Sequence, residues 1–110
     1  PVMQTGYQIT FFTQQERVHK QQSLARWLME TARQMGLRGA TLTGGIEGFG
    51  HDGLDHCITL FDVSAQPVQV ILVVTEPQAD QLFALLAAEK IEVFYTKAVV
   101  SFGVSGDSTS

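Results

Sequence analysis

The order of strand-like and helix-like segments is the feature that most restricts the folds open to this chain. Strands are predicted where β-branched and aromatic residues alternate with polar ones, and helices where apolar residues recur every three or four positions. Strand patterns cover residues 7–12, 40–43, 57–63, 68–75 and 91–102, and helical patterns cover residues 24–35 and 79–86. A strand–helix unit therefore occurs twice along the chain.

Folding rules leave few topologies for this order. Crossovers from strand to strand through a helix are right-handed, so two split β-α-β units form one antiparallel sheet covered by two helices. The sequence therefore predicts an α+β protein with the ferredoxin-like β-α-β-β-α-β sandwich, as a single domain over residues 1–110. Residues 103–110, rich in Gly, Ser and Asp, are predicted to be a flexible tail.

Capping residues mark the expected helix ends. Ser23 is a candidate N-cap of the first helix, although a start nearer Gln14 also fits the pattern, and Gly36 supplies a left-handed stop. Thr75 and Gln78 have the spacing of a capping box at the start of the second helix. The polar stretch 13–22 either begins the first helix or forms a connection.

Composition limits the classes of function. Only 16% of residues are charged, against about 25% in typical soluble proteins, so another subunit is expected to cover part of the surface. The net charge is −4 and no basic run occurs, which argues against nucleic-acid binding. The single cysteine, Cys57, fits a reducing cytosol, and the apolar stretch 68–74 is too short to span a membrane. We expect a cytoplasmic protein, with any membrane association made through a partner.

A strand that continues into a glycine-rich segment is the most unusual local feature. Residues 44–50 contain four glycines and are followed by a long polar stretch. Glycine permits positive φ and close approach of another surface. Two interpretations stay open: a hinge whose backbone N–H groups favour anions, or a bulged strand end that needs glycine for geometry alone. The length of the following stretch favours a recognition or regulatory loop over residues 44–67.

The same segment resembles a known family. The motifs GAT at residues 39–41 and GIEGFG at residues 45–50, preceded by GL at residues 36–37, are similar to the pattern of small bacterial PII-like proteins of unassigned function. The GFG core also resembles the start of the T-loop in PII signalling proteins. The resemblance is specific over residues 36–50 and follows the element order over residues 7–101.

This resemblance implies a homotrimer whose sheets pack inward, with ligand clefts between neighbouring subunits. The implied ligand is an adenine nucleotide (AMP, ADP or ATP), and no cofactor is required. The base would lie against strand residues and the phosphates against the glycine-rich segment. The implied ligand-binding residues are Thr41, Thr43 and Val73 for the base, Gly48, Phe49, Gly50 and His51 for the phosphates, and Lys90 and Lys97 as the nearby cations.

Departures from the PII pattern bear on which ligand fits. Glu47 and His51 stand where PII proteins carry Lys and Arg, and Gly44 stands where the closer family usually has Arg. The glycine-rich phosphate-binding segment that PII proteins have before the last strand is absent. Because a polyphosphate needs cationic side chains to offset its charge, the sequence favours AMP, ADP or a less charged ligand over ATP.

The resemblance implies a PII-like signal-transduction protein, similar to nitrogen regulatory proteins, and not an enzyme. Its effector would order or move the loop 44–67, which would contact a transporter or a metabolic enzyme. Three alternatives stay open. They are a metal-binding trimer resembling the divalent-cation-tolerance proteins and using His51 and His56, a nucleotide hydrolase acting through Glu47 or Asp52, and a structural subunit without a ligand.

Four further side chains invite a functional interpretation. Cys57 is expected to be a small apolar strand residue, and Trp27 lies at helical spacing among apolar residues, which predicts core packing. His19 lies in a polar stretch and is expected at the surface. Phe49, between two glycines, is placed either at a subunit contact or under a ligand.

Overall fold

The computed structural model describes residues 3–37, 39–44 and 67–106. The elements in chain order are β1 (Gln4–Gln14), β2 (Val18–His19), β3 (Gln22–Ser23), α1 (Leu24–Gln34), β4 (Gly39–Gly44), β5 (Pro67–Val74), α2 (Glu76–Ala88) and β6 (Phe94–Phe102). The predicted strand at residues 57–63 lies outside the described residues, as do residues 107–110 of the predicted tail.

Four strands form one antiparallel sheet in the order β4-β5-β1-β6. Tyr7 of the central strand β1 lies opposite Val74 of β5 on one side and Val99 of β6 on the other. The first and third long strands are therefore neighbours, while the second and fourth form the edges. With one helix after β1 and one after β5, this is the ferredoxin-like arrangement, and the predicted fold class is confirmed.

The hydrophobic core lies between one face of the sheet and the two helices. Strand side chains alternate between faces, so the odd-numbered positions of β1 and the even-numbered positions of β5 face the helices. The fully buried side chains of this core include Ile9, Phe11, Leu28, Leu72 and Leu82. Trp27 packs in the same cluster, which confirms the interpretation from helical spacing.

The helix ends follow their capping residues. The Ser23 hydroxyl accepts the N–H of Arg26, so α1 begins after Ser23 and not near Gln14. The predicted capping box at α2 is present in both directions: Thr75 N–H donates to the Gln78 side chain, and Gln78 N–H donates to the Thr75 hydroxyl. In the part of the chain that the structure describes, neither helix is long and apolar enough to cross a membrane.

The stretch 13–22 forms a structure that its sequence does not signal. β1 continues to Gln14, and a short hairpin of β2 and β3 follows, with His19 opposite Gln22. Lys20 and Gln21 form its tip with φ of 53° and 67°. Two-residue turns with both central residues left-handed strongly prefer Asn-Gly, so Lys-Gln gives no turn signal.

The last strand is shorter than its sequence pattern. β6 begins at Phe94, although the strand pattern starts at Ile91. The Ile91 N–H still donates to the carbonyl of Leu86 in α2. Because this hydrogen bond holds Ile91 in the helix-capping turn, the chain becomes extended only after it.

Candidate ligand site

The sheet face turned away from the helices carries the strand residues expected to contact a ligand base. Thr41 lies opposite Ile71, and Val73 lies opposite Gly39. Because side chains alternate along a strand, Thr41, Thr43 and Val73 share this face, and Thr41 and Val73 are diagonal neighbours about 7–8 Å apart. The structure places all three predicted residues on one face; Thr41 is the diagonal neighbour of Val73, whereas Thr43 lies farther along β4, opposite Gln69.

Gly39 leaves room for the side chain of Val73 in this group. A Cβ added to Gly39 would lie 3.3 Å from the side chain of Val73, which is closer than most real contacts of that kind. Any larger residue at this position would push Val73 aside. The β4 edge therefore presents exposed threonine hydroxyls beside the packed Gly39–Val73 pair. Polar groups next to an apolar contact suit a flat apolar ring with polar edges.

The whole open face is uncharged within the described strands. Its positions on β1 are occupied by Gln, Gly, Thr and Phe, those on β5 by Gln, Ile and Val, those on β4 by Gly and Thr, and those on β6 by Phe, Thr, Ala and Val. Thr10, at its centre, is only 8% exposed although no helix covers it. A surface this large without charge is typical of a face that another subunit covers.

Lys97 lies on the other face of the sheet, away from Thr41. Its ammonium nitrogen sits 4.2 Å from the centre of the Tyr7 ring and 5.9 Å from that of Phe83, a cation–π contact beside α2. Lys97 belongs to the edge strand β6 and Thr41 to the opposite edge strand β4, three strand spacings or about 14 Å apart. One subunit does not bring these two residues together, so a site that used both would draw on two subunits.

Lys90 occupies an unusual backbone position at the end of α2. The Lys90 N–H donates to Ala87 and the Ile91 N–H donates to Leu86, the pair of bonds that closes a Schellman motif. Lys90 has φ of 58°, a conformation that costs a residue with a Cβ roughly 1–2 kcal/mol. At the equivalent position of α1 the chain has a glycine, Gly36, with φ of 76°.

Side chains of the β2–β3 hairpin form hydrogen bonds with the segment that contains Lys90. The His19 Nε2 lies 2.9 Å from Glu89 Oε1, and the Lys20 ammonium lies 3.2 Å from Glu89 Oε2. The Arg17 guanidinium donates to the carbonyl of Glu92. The sequence predicts His19 at the surface, but its side chain is only 19% exposed and stands edge-on to Trp27. Its partner Glu89 is seventy positions away, so no local pattern identifies the contact.

These contacts change the acidity of Glu89. The hydrogen bond from His19, followed by that from Lys20, lowers the pKa of the Glu89 carboxyl below its ordinary value of 4.5. A carboxyl with a lowered pKa in the folded state stabilises the fold above its ordinary pKa, and that contribution is lost as the pH falls through the lowered value.

We therefore expect Glu89→Gln to lower the melting temperature at neutral pH, and the difference from the unmodified protein to shrink below about pH 4.5. Thermal unfolding of both proteins between pH 7 and pH 3, followed by circular dichroism, measures this. Glu92→Gln is the matched control, because the hairpin contacts the backbone carbonyl of Glu92. A difference that stays constant across the acid range would contradict the assignment.

Other predicted residues fall outside the described parts of the chain. Gly48, Phe49, Gly50 and His51, expected near the phosphates, are among them, as are Cys57 and the candidates for metal binding or hydrolysis, Glu47, Asp52 and His56. Within residues 3–37, 39–44 and 67–106, no three His, Cys, Asp or Glu side chains come close enough to hold a metal ion.

Comparison with known families and structures identifies similar proteins. The family model DUF190, described as an uncharacterized ACR, matches residues 6–102. No curated protein matches the chain in sequence.

Three solved structures illustrate the similarity in fold. CPII from Thiomonas intermedia K12, bound to ADP, AMP and acetate, is 14% identical with a TM-score of 0.62, covering 93% of this chain and 92% of that chain. A PII-like signalling protein from Thermus thermophilus is 17% identical with a TM-score of 0.58, covering 94% of each chain. CPII bound to ADP, AMP and bicarbonate, described as a nitrogen regulatory PII-like protein, is 16% identical with a TM-score of 0.57, covering 93% and 92%. At these identities the likeness establishes the fold.

Proposed function

Because the chain belongs to the DUF190 family and has the fold of PII-like proteins, we propose that it is a PII-like regulatory protein that binds an adenine nucleotide between the subunits of a homotrimer. The observation that carries this proposal is the uncharged open sheet face with Thr41, Thr43 and Val73 at its β4 edge. CPII, which has the same fold, is a nucleotide-bound protein.

The open face is the surface that a trimer would bury. Ile71 lies at its centre beside the nearly buried Thr10, and Phe12 and Phe94 pack together at one end with ring centres 5.6 Å apart. Removal of apolar surface from water stabilises an assembly by about 25 cal/mol for each Å² that is buried. Three sheets packed through this face would account for its lack of charge.

Opposite edges of the sheet would then supply the two halves of each site. Thr41 and Val73 would contact the base from one subunit, and Lys97 would reach the site from its neighbour, because the two edges lie too far apart within one chain. Lys90 and residues 48–51 would contact the phosphates. With only two cations assigned, the site fits AMP or ADP better than ATP.

The proposed action is regulation rather than catalysis. A nucleotide bound between β4 and residues 48–51 would have a different affinity for each position of the loop 44–67. Only such a difference in affinity can shift the populations of the loop states. The loop would then engage or release a protein partner, a transporter or a metabolic enzyme, in the cytoplasm.

Isothermal titration with AMP, ADP and ATP tests the nucleotide site. We expect saturable binding near one nucleotide per chain, with ATP the weakest, and a Thr41→Ala variant that binds roughly 3–10-fold more weakly through loss of a hydrogen bond. Thr5→Ala on β1 is the control and should bind as the unmodified protein does. No saturable heat from a protein shown by light scattering to be a trimer would contradict the nucleotide assignment. Unchanged affinity in Thr41→Ala would remove Thr41 from the site.

A further inference from the structure

Unfavourable backbone conformations are concentrated in one place. Among the described residues, Lys20, Gln21 and Lys90 are the non-glycine residues with positive φ, at 53°, 67° and 58°. Lys20 and Gln21 form the tip of the β2–β3 hairpin, and Lys90 lies in the turn that the hairpin contacts. Such conformations persist only where surrounding contacts hold them, and they cluster at functional sites.

The hairpin, together with Arg17 immediately before it, contacts the segment around Lys90 on both sides. His19 and Lys20 bind the carboxylate of Glu89, immediately before Lys90, and Arg17 binds the carbonyl of Glu92, two residues after it. The hairpin is itself anchored, because the His19 ring stands edge-on to Trp27 with ring centres 5.0 Å apart. Trp27 is 9% exposed and belongs to the core, so the turn is tied to the rigid part of the fold.

The stability of the turn does not explain why residue 90 is a lysine. Glycine closes the same motif at the end of α1 without a Cβ penalty. Lysine in its place leaves the turn less stable on its own and adds an ammonium group on an exposed side chain.

We propose that the β2–β3 hairpin is a brace for this turn, in which His19 and Glu89 are positioning residues that hold Lys90 where its ammonium meets the anionic part of the bound nucleotide. The ligand in this inference rests on the proposed function, whereas the bracing of the turn does not. The brace also shields the ligand from Glu89, because both carboxylate oxygens are engaged by the hairpin. Because the backbone at Lys90 is already fixed, less conformational entropy is lost when this lysine binds the ligand.

The charges around Glu89 also make the brace sensitive to acid. His19 and Lys20 face it from the hairpin, and Arg17 contacts the carbonyl of Glu92, three residues further along. Lys90 and Glu92 are the charged residues of its own segment, and Trp27 contributes no charge from α1. Protonation of the carboxyl would weaken both contacts at once, so the turn should loosen in acid.

Hydrogen exchange of the Lys90 and Ile91 amides tests the brace without a ligand, because these amides close the turn. We expect His19→Ala and Glu89→Ala to raise their exchange rates about fivefold, and His19→Gln, whose amide can still donate to Glu89, to restore most of the protection. Arg33→Ala, which breaks the Arg33–Glu30 pair on α1, is the matched control and should leave these amides unchanged. Unchanged rates in both alanine variants would overturn the brace.

ADP titration of the same variants tests the positioning of Lys90. We expect Lys90→Gly to raise the melting temperature and to weaken ADP binding about tenfold. His19→Ala should weaken ADP binding severalfold without a change in stoichiometry, and His19→Gln should restore the affinity. The weakening by His19→Ala should disappear in the Lys90→Gly background, since His19 acts through Lys90.

The two measurements separate the ways in which the inference can fail. Loosened amides together with unchanged ADP affinity in His19→Ala would overturn the positioning role and leave nucleotide binding intact. An unmodified trimer that fails to bind ADP would overturn the nucleotide site and with it the role of Lys90, and the exchange rates would then decide the brace alone.

Discussion

A Gly6→Ala variant is expected to lose roughly 3 kcal/mol of folding stability, a large part of the 5–15 kcal/mol that holds a typical domain together. A Cβ at this position would overlap the carbonyl oxygen of Val74 and lie 3.0 Å from the Phe102 ring. Gly6 is in β1, which is paired with a strand on each side. Relief of the overlap would therefore require movement of a central strand and loss of its pairing.

Urea unfolding followed by circular dichroism measures this loss. Thr5→Ala is the control, since it introduces the same residue one position earlier, at an exposed site on the same strand. We expect the control to stay within about 0.5 kcal/mol of the unmodified protein. Equal stability of the two variants would mean that β1 adjusts to a side chain at position 6 without cost.

The second large effect is expected from Ile71→Glu, which should convert the proposed trimer into monomers. Ile71 lies at the middle of the open face, between Thr10 of β1 and Thr41 of β4. A trimer built on this face would bury a carboxylate in each subunit without a partner, since the described strands offer no charged residue on that face. Burial of an unpaired charge costs several kcal/mol, equivalent to roughly a hundredfold or more in the dissociation constant.

Sedimentation velocity at micromolar concentration distinguishes the two states. Val99→Glu is the matched control, because Val99 is 71% exposed on the helix side of β6 and the change in charge is the same. We expect this control to remain trimeric. A trimeric Ile71→Glu protein would show that the open face is not the contact, and a monomeric unmodified protein would contradict the trimer itself.

The parts of the fold that the sequence predicts are those encoded by local chemistry. Thr75 and Gln78 cap α2 through each other's backbone and side chain, so short-range spacing is enough to locate the start of that helix. For α1 the spacing leaves two candidate starts, and the structure selects Ser23 as the cap. Alternation along β1 and β5 identifies the buried face because one side of each strand meets the helices.

The parts that the sequence does not predict depend on contacts between distant segments. The tip of the β2–β3 hairpin uses Lys20 and Gln21 in place of the usual turn residues, and it is held by Glu89 seventy positions away. For the candidate site, the sharing of one face by Thr41 and Val73 follows from the register of β4 on β5, and the location of Lys97 on the other face follows from that of β6 on β1. Register between strands is set by the whole sheet.

The pairing of Gly44 with Val68 affects how readily the stretch between them can vary in length during evolution. β4 ends at Gly44 and β5 begins at Pro67, so the residues that flank the stretch 45–66 are neighbours in the sheet. A Cβ added to Gly44 would lie 2.6 Å from the backbone of Val68. Because its ends are fixed together by the sheet, the entropic cost of closing the stretch varies by only about 0.6 kcal/mol for each doubling of its length. Insertions and deletions in this stretch are thus nearly neutral for the stability of the sheet, so its length and sequence can vary while the sheet stays the same.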